Sequence, residues 1–215
     1  MKKDKIIFYV FAAFFLALGI ILFCSGCGSD FYTQSEAAKC YYVNPDKKIS
    51  SLSRVAIIEL QNESVYLEVA AQMSEALYNE LQKRQIAGLS VVYSSDERWK
   101  KLEISTARSY EPRQLTTARK ILRCDAIIVG SVVEYKPYPH LSIAVRLKMI
   151  DLTDGQVLWG YEQVWDTSDK YCQSQVRKYY RTQKNEQIGQ LRQKLITASS
   201  IEFLKFVSFE VSQTL

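Results

Sequence analysis

Residues 141–166 read LSIAVRLKMIDL, then TDG, then QVLWGYEQVWD, and they decide the fold. Leu141, Ile143, Val145, Leu147 and Met149 face one way, with Ser142, Arg146 and Lys148 opposite. Strict alternation of this kind predicts a half-exposed strand. Thr153-Asp154-Gly155 then predicts a hairpin turn, with Gly155 supplying the positive φ. Residues 156–166 return as a second strand, on which Trp159 and Trp165 are six apart and share one face. Their apolar bulk places that face against a core.

Upstream, residues 125–134 (DAIIVGSVVE) are short, apolar and β-branched, which predicts a buried strand. Gly130 inside it signals a bulge or a close approach of another backbone. Residues 54–60 (RVAIIEL) and 89–93 (LSVVY) predict two more strands. Between those two, Val65, Val69, Met73, Ala76, Leu77 and Leu81 repeat at helical spacing, predicting a helix over 64–85. Asn62 or Ser64 is placed to cap it, and Gly88 to end it. Pro112 predicts a helix start, with Leu115, Ala118, Ile121 and Leu122 on its apolar face. After the hairpin, Ser168 is placed to cap a polar, basic helix over 170–184. A second helical run over 186–213 carries Ile188, Leu191, Leu195, Ile201, Leu204 and Val211 near one face. The order is β-α-β-α-β-β-β-α, an α+β fold in which helices cover a sheet part parallel and part antiparallel.

The chain has 215 residues, 47% of them hydrophobic and 24% charged, enough apolar content for a core. Its one histidine, His140, excludes a multi-histidine metal site. No serine, cysteine or acid is placed beside it by any motif, so no catalytic residue is assigned. The sequence predicts neither a metal, a cofactor nor a small-molecule substrate, and points to a binding protein rather than an enzyme.

The N-terminus carries a targeting signal. MKKDK is basic, residues 6–23 (IIFYVFAAFFLALGIILF) hold no charge, and Cys24-Ser25-Gly26-Cys27 follows. This layout describes a secretory signal. Ser25-Gly26-Cys27 resembles the bacterial lipoprotein box, in which the cysteine is acylated and becomes the mature N-terminus; here that is Cys27. Cys24 stands three positions before the acceptor, where that box has leucine. The alternative is an uncleaved anchor, since eighteen apolar residues reach the lower limit for spanning, about 17. Either way residues 28–215 lie outside the cytoplasm. Gly28 after the acceptor favours the outer membrane by analogy with enterobacterial sorting, with the inner membrane as the alternative.

The expected domains are a signal peptide at 1–26, a lipidated N-terminus and tether at 27–51, and one periplasmic domain at 52–215, with its C-terminal helical segment at 168–213. Cleavage leaves 25 basic and 22 acidic residues. Residues 170–194 alone carry a net +6, so a near-neutral domain bears one basic stretch. Three thiols remain beyond Cys27: Cys40, Cys124 and Cys172. Cys124 reads as a small buried side chain. An oxidising compartment allows a Cys40–Cys172 disulfide.

Three segments resemble a family of bacterial envelope lipoproteins that includes the curli-secretion lipoprotein CsgG, the penicillin-binding-protein activator LpoB and the N-terminal domain of TolB. Residues 55–62 (VAIIELQN) look like the family's first strand. Residues 124–131 (CDAIIVGS) look like its central strand, with Arg123-Cys124 in place of the usual Gly-Ala. Residues 147–159 (LKMIDLTDGQVLW) look like its hairpin. The resemblance covers roughly residues 52–166 and implies an anticodon-binding-domain-like mixed sheet. It also implies a non-enzymatic, lipid-anchored module that binds an envelope protein, or a second copy of itself, in secretion or envelope biogenesis. The alternative it implies is a subunit of an oligomeric secretion channel. The long alternating segments that would form membrane-spanning hairpins are absent, which argues against a pore.

Two surface elements stand out as contact candidates. Tyr135, Tyr138 and His140, with Pro137 and Pro139, make a stiff aromatic connector suited to protein contact. Arg177, Lys178, Arg181 and Lys184 are candidates for anionic envelope surfaces. Export argues against a nucleic-acid partner.

Overall fold

The computed structural model describes residues 41–102, 110–182 and 199–215. All belong to the unit Cys40–Leu215. The signal peptide, Ser25, Gly26, Cys27 and Cys40 lie outside the described residues, as do Ile188, Leu191 and Leu195.

Seven strands make one mixed sheet: β1 Tyr41–Val43, β2 Arg54–Ile58, β3 Gln61–Asn62, β4 Gly88–Val92, β5 Ala126–Lys136, β6 Ser142–Asp151 and β7 Val157–Asp166. Their order is β1-β7-β6-β5-β2-β4, with β3 pairing β5. β2 is parallel to β4 and β5, and β3 is parallel to β5. β5, β6, β7 and β1 run antiparallel in turn. Five helices accompany the sheet: α1 Val69–Arg84, α2 Glu97–Lys100, α3 Pro112–Leu122, α4 Lys170–Thr182 and α5 Ser200–Ser212. The predicted α+β fold with a part-parallel, part-antiparallel sheet is the observed one. No described helix is long and apolar enough to cross a membrane.

Alternation along the strands sends side chains to two cores. Val55 and Ile57 of β2, Ala126 and Ile128 of β5, and Val145, Leu147 and Met149 of β6 face α1, α4 and α5. Ala56, Ile58, Ile127, Val129 and Ile150 face the other way, under α3 through Leu115, Ala118 and Leu122. The hairpin is as expected. Gly155 takes φ 76°, and Trp159 and Trp165 are buried on one face, with Tyr161 stacked between them at 5.8 and 5.9 Å. Gly130 marks a close approach: a Cβ there would lie 2.1 Å from the Arg146 carbonyl oxygen. A separate bulge follows, between Val132 and Glu134.

Several expected boundaries shift, each for a local reason. The first helix begins at Val69 rather than 64, because Asn62 is engaged elsewhere. Its Oδ1 accepts from the Ser64 N–H (3.0 Å) and its Nδ2 donates to the Tyr66 carbonyl (2.7 Å), holding 63–67 as a loop. Gly88 does not end that helix; Gln85 does so at φ 53°, and Gly88 opens β4. The helix after the hairpin is capped by Asp169, whose Oδ2 accepts from the Cys172 N–H (3.2 Å). Ser168 instead donates its N–H and hydroxyl to Asp166 (2.7 and 2.6 Å). That helix is not polar all round, since Cys172, Val176 and Tyr179 are buried at i, i+4, i+7 spacing. The C-terminal run is interrupted at Ser199, which is extended. In α5 it is Phe203, Leu204, Phe206, Val207 and Val211 that face the core, while Ile201 is 58% exposed.

The stretch read as a tether contributes an edge strand. Tyr41–Val43 pairs with β7, and the Asn44 N–H continues the ladder to the Leu158 carbonyl (2.8 Å). Lys47 Nζ then bridges Asp151 and Asp154 at the hairpin tip, 2.6 Å to each. Burial raises the Asp151 carboxyl, but hydrogen bonds from Lys47 and Thr153 outweigh it and hold the group below the usual carboxylate range. The same two acids raise the Lys47 ammonium.

Candidate functional site

Two exposed features of the sheet stand out, the end that bears the 137–140 turn and the edge at β4. β5 runs two residues further than expected, and this decides the fate of the aromatic connector. Tyr135 pairs with Ile143 inside the sheet, is buried, and meets Tyr66 edge-on, ring centroids 5.4 Å apart at 89°. It belongs to the core, which corrects its assignment as a contact residue. Tyr138 and His140 are exposed, on a turn that contains a cis Tyr138–Pro139 bond. Hydrogen bonds from the Ser168 hydroxyl and N–H hold the neighbouring Asp166 carboxyl below its usual range, against a small effect of burial; His140 and Lys136 add to the lowering.

The loop joining β3 to α1 stands beside this connector. β3 is in register with Ser131 and Val132 of β5, so residues 63–68 leave the sheet level with 133–138. The Glu63 N–H donates to the Val132 carbonyl (3.0 Å), and Tyr66 leans on Tyr135. Val65 and Leu67 on either side of Tyr66 are held outward, 85% and 88% exposed, and Tyr138 is 85% exposed. The helical reading of 64–85 concealed Val65 and Leu67. The signal that reveals them is Asn62, a residue that favours turns over helix interiors.

The second feature is the edge at β4. The Gly88 N–H donates to Ser53, and the Val92 carbonyl accepts from Glu59, both at 2.9 Å. Backbone groups alternate sides along a strand, so the N–H and C=O of Leu89 and Val91 point off the sheet. Nothing among the described residues pairs with them. Residues 88–93 (GLSVVY) carry no charge. Exposed edges are ordinarily blunted by charge, proline or a covering element.

Arg177 and Lys178 are exposed on α4; the side chain of Arg181 and all of Lys184 lie outside the described residues. A cleft of about 1040 Å³ lies between α1 and α5 and is lined by Gln72, Glu75, Asn79, Lys83, Glu202 and Lys205 among others. Its charges are mixed, and both its lysines are paired: Lys83 to Glu80 at 2.6 Å and Lys205 to Glu202 at 2.7 Å. Among the described residues, no three His, Cys, Asp or Glu side chains gather to hold a metal ion. Burial pushes the Cys124 thiol up to about 11 and the Cys172 thiol up to about 12. Cys172 is a free, buried thiol packed with Val176 in the core.

No family model matches the chain, and no curated protein matches it in sequence. Solved structures with similar folds include the PelC dodecamer from Paraburkholderia phytofirmans, 15% identical with a TM-score of 0.44, over 59% of this chain and 78% of that one. Lipoprotein GNA1162 from Neisseria meningitidis is 16% identical with a TM-score of 0.41, over 69% of this chain and 98% of that one. The LpoB C-terminal domain from Salmonella enterica is 13% identical with a TM-score of 0.38, over 53% and 82% respectively. LpoB, named above from three sequence segments, is thus among the structural neighbours; CsgG and TolB are not shown to be.

Proposed function

We propose that the chain is a non-enzymatic envelope lipoprotein, cleaved before and acylated on Cys27, whose exported domain works by binding another envelope protein through the open edge of β4. The observation that carries the binding surface is the uncharged run at 88–93, with the backbone groups of Leu89 and Val91 aimed outward. An extended segment of a partner adds to such an edge by main-chain hydrogen bonds, and pockets for alternate side chains give it specificity.

Val91→Pro tests this cleanly. Its N–H points away from β2, so proline there removes an outward donor without breaking the internal ladder. Crosslinking in intact envelopes should capture a partner with the wild type and lose it with Val91→Pro, at an unchanged thermal midpoint. Equal capture by both removes the edge as the contact. The anchor is tested separately: labelling with a fatty-acid analogue should vanish in Cys27→Ala, and an unlabelled, uncleaved wild type would favour the uncleaved anchor.

A second reading, self-association as in a channel subunit, has one observation behind it. On the opposite side of the sheet β7 outruns the short β1, and Val164 is 61% exposed there. Open edges on both sides of one sheet permit head-to-tail pairing of copies. Native mass spectrometry of the lipidated protein separates the readings, since a monomer at micromolar concentration removes the second. Arg177 and Lys178 on α4 form a further, electrostatic contact for anionic envelope polymers in either case.

A further inference from the structure

The chain enters the sheet at β1, whose direction follows from the strand pairings. β5 and β7 are both antiparallel to β6, so both finish at the end that bears the 137–140 turn. β1 is antiparallel to β7, with Tyr41 opposite Tyr161 and Val43 opposite Trp159. It therefore starts level with the middle of β7 and runs away from that end. Only thirteen residues, 28–40, separate Cys27 from Tyr41. Fully extended at about 3.3–3.6 Å per residue, they reach no more than roughly 47 Å.

That same end carries the exposed Val65, Leu67 and Tyr138 on its two neighbouring loops. We propose that this end of the sheet docks on the bilayer that holds the Cys27 anchor, with these three side chains entering the interfacial layer. The inference rests on the acylated Cys27 of the proposed function. Leucine and valine gain by leaving water, and tyrosine suits a boundary that is apolar on one side and wet on the other. The loops are braced for this. Asn62 ties the 63–67 backbone, and the Tyr66–Tyr135 contact fixes that loop to β5, so the apolar tips are presented without a large ordering cost. Exposed charges nearby are Glu63, Glu68 and Glu134 against Lys136, which is paired to Glu134. No basic excess exists, so a zwitterionic surface suffices and salt has little effect. The docked pose leaves the β4 edge free along the side of the domain.

The test uses the full, lipidated chain reconstituted into phosphatidylcholine vesicles with brominated acyl chains, which quench tryptophan at membrane depth. Tyr138→Trp and Leu67→Trp are compared with wild type, and Thr153→Trp at the opposite hairpin tip serves as control. The expected result is a blue-shifted emission from positions 138 and 67, most of it lost in the brominated vesicles, in 0.1 M and 0.5 M salt alike. Position 153 should keep its emission. If the protein floats with vesicles but positions 138 and 67 stay unquenched, or 153 is quenched equally, docking is overturned and the anchor stands. If Tyr138→Trp shows no quenching and a photocrosslinker attached to Tyr138→Cys captures a protein in envelopes, the end belongs to a protein partner and docking is likewise overturned. A chain that fails to float removes the anchor and docking with it. Matching thermal midpoints for all variants confirm that each is folded.

Discussion

Gly130→Ala should be among the most damaging single-methyl additions in the chain. The new Cβ would lie 2.1 Å from the Arg146 carbonyl oxygen, 2.8 Å from Leu147 Cδ2 and 3.0 Å from Leu147 Cα. Carbon–oxygen contacts between strands normally sit at about 3.3–3.6 Å, so β5 and β6 must part by more than about 1 Å here. Overpacking of this kind costs about 1–3 kcal/mol. Each stretched ladder bond adds about 1 kcal/mol. The reduced freedom of the unfolded chain returns only about 0.4–1 kcal/mol. A net loss of roughly 2–4 kcal/mol corresponds to a fall in Tm of about 5–15 °C for a domain of this size. Gly160→Ala is the matched control on β7. Its Cβ would meet only Tyr42 Cβ at 3.9 Å and Val157 Cγ1 at 4.0 Å, ordinary contact distances. It should stay within about 0.5 kcal/mol of wild type. Urea unfolding of both variants decides the matter. Neither glycine has a positive φ, so the comparison separates steric approach from backbone strain. Equal stabilities for the two variants would refute the reasoning.

Three further outcomes are expected. Lys47→Met should lose about 1 kcal/mol near neutrality, as a half-buried ion pair does. The depressed Asp151 contributes above its unfolded pKa and loses that contribution as pH falls; the raised Lys47 contributes below 10.5 and loses it as pH climbs past its folded value. The stability gap between variant and wild type should therefore be widest between about pH 5 and 9 and close toward both extremes, and a gap constant with pH in chemical denaturation contradicts the clasp. Phe206→Ala should cost about 3–5 kcal/mol and Ile201→Ala under about 1, reversing the order expected if Ile201 lay on the core face. Cys124 and Cys172, with thiols pushed up to about 11 and about 12, should ignore a thiol reagent in the native state at pH 8 and react together on unfolding; prompt labelling of either would show that its burial is wrong.

The hairpin and central strands were legible because their period-two pattern is uninterrupted over 141–149 and their turn residue is the one the backbone demands. The helix faces were less so. Val65 stands four residues before Val69 and continues the helical period by coincidence, while Asn62 satisfies local backbone groups that a helix would leave to itself. In α5 the residues Ile201, Phe203, Leu204, Phe206, Val207, Phe209 and Val211 are apolar around most of the circumference, so periodicity cannot choose a face; packing against α1 does, with the Ser208 hydroxyl 3.7 Å from Met73 Sδ. Of the contact residues, Tyr138 was visible through its flanking prolines. Tyr135 was misplaced because nothing local shows that a strand outruns its last β-branched residue. The β4 edge was read correctly as a strand, but its position at the border depends on the order of strands, which no local pattern encodes.

β1 was the least legible element, and it changes most where the folded domain begins. A strand of three residues has little stability alone. What holds it is distant: β7 across the ladder, and Asp151 and Asp154 gripping Lys47 more than a hundred positions away. If the domain began at residue 52, a chain of 24 residues would follow Cys27 and extend to roughly 80 Å. With the clasp closed, thirteen residues, 28–40, remain, a length that reaches no more than roughly 47 Å. On the proposed acylation of Cys27, the clasp therefore fixes how much chain is left between that residue and the domain that bears the β4 edge. Loosening it, as Lys47→Met and acid both should, lengthens the leash without touching either contact surface. A partner that sits close to the membrane should tolerate that change, and one reached across the periplasm should be captured more readily by the loosened variant. Comparing crosslinked partners of wild type and Lys47→Met thus reports the depth at which the module works, independently of who the partner is.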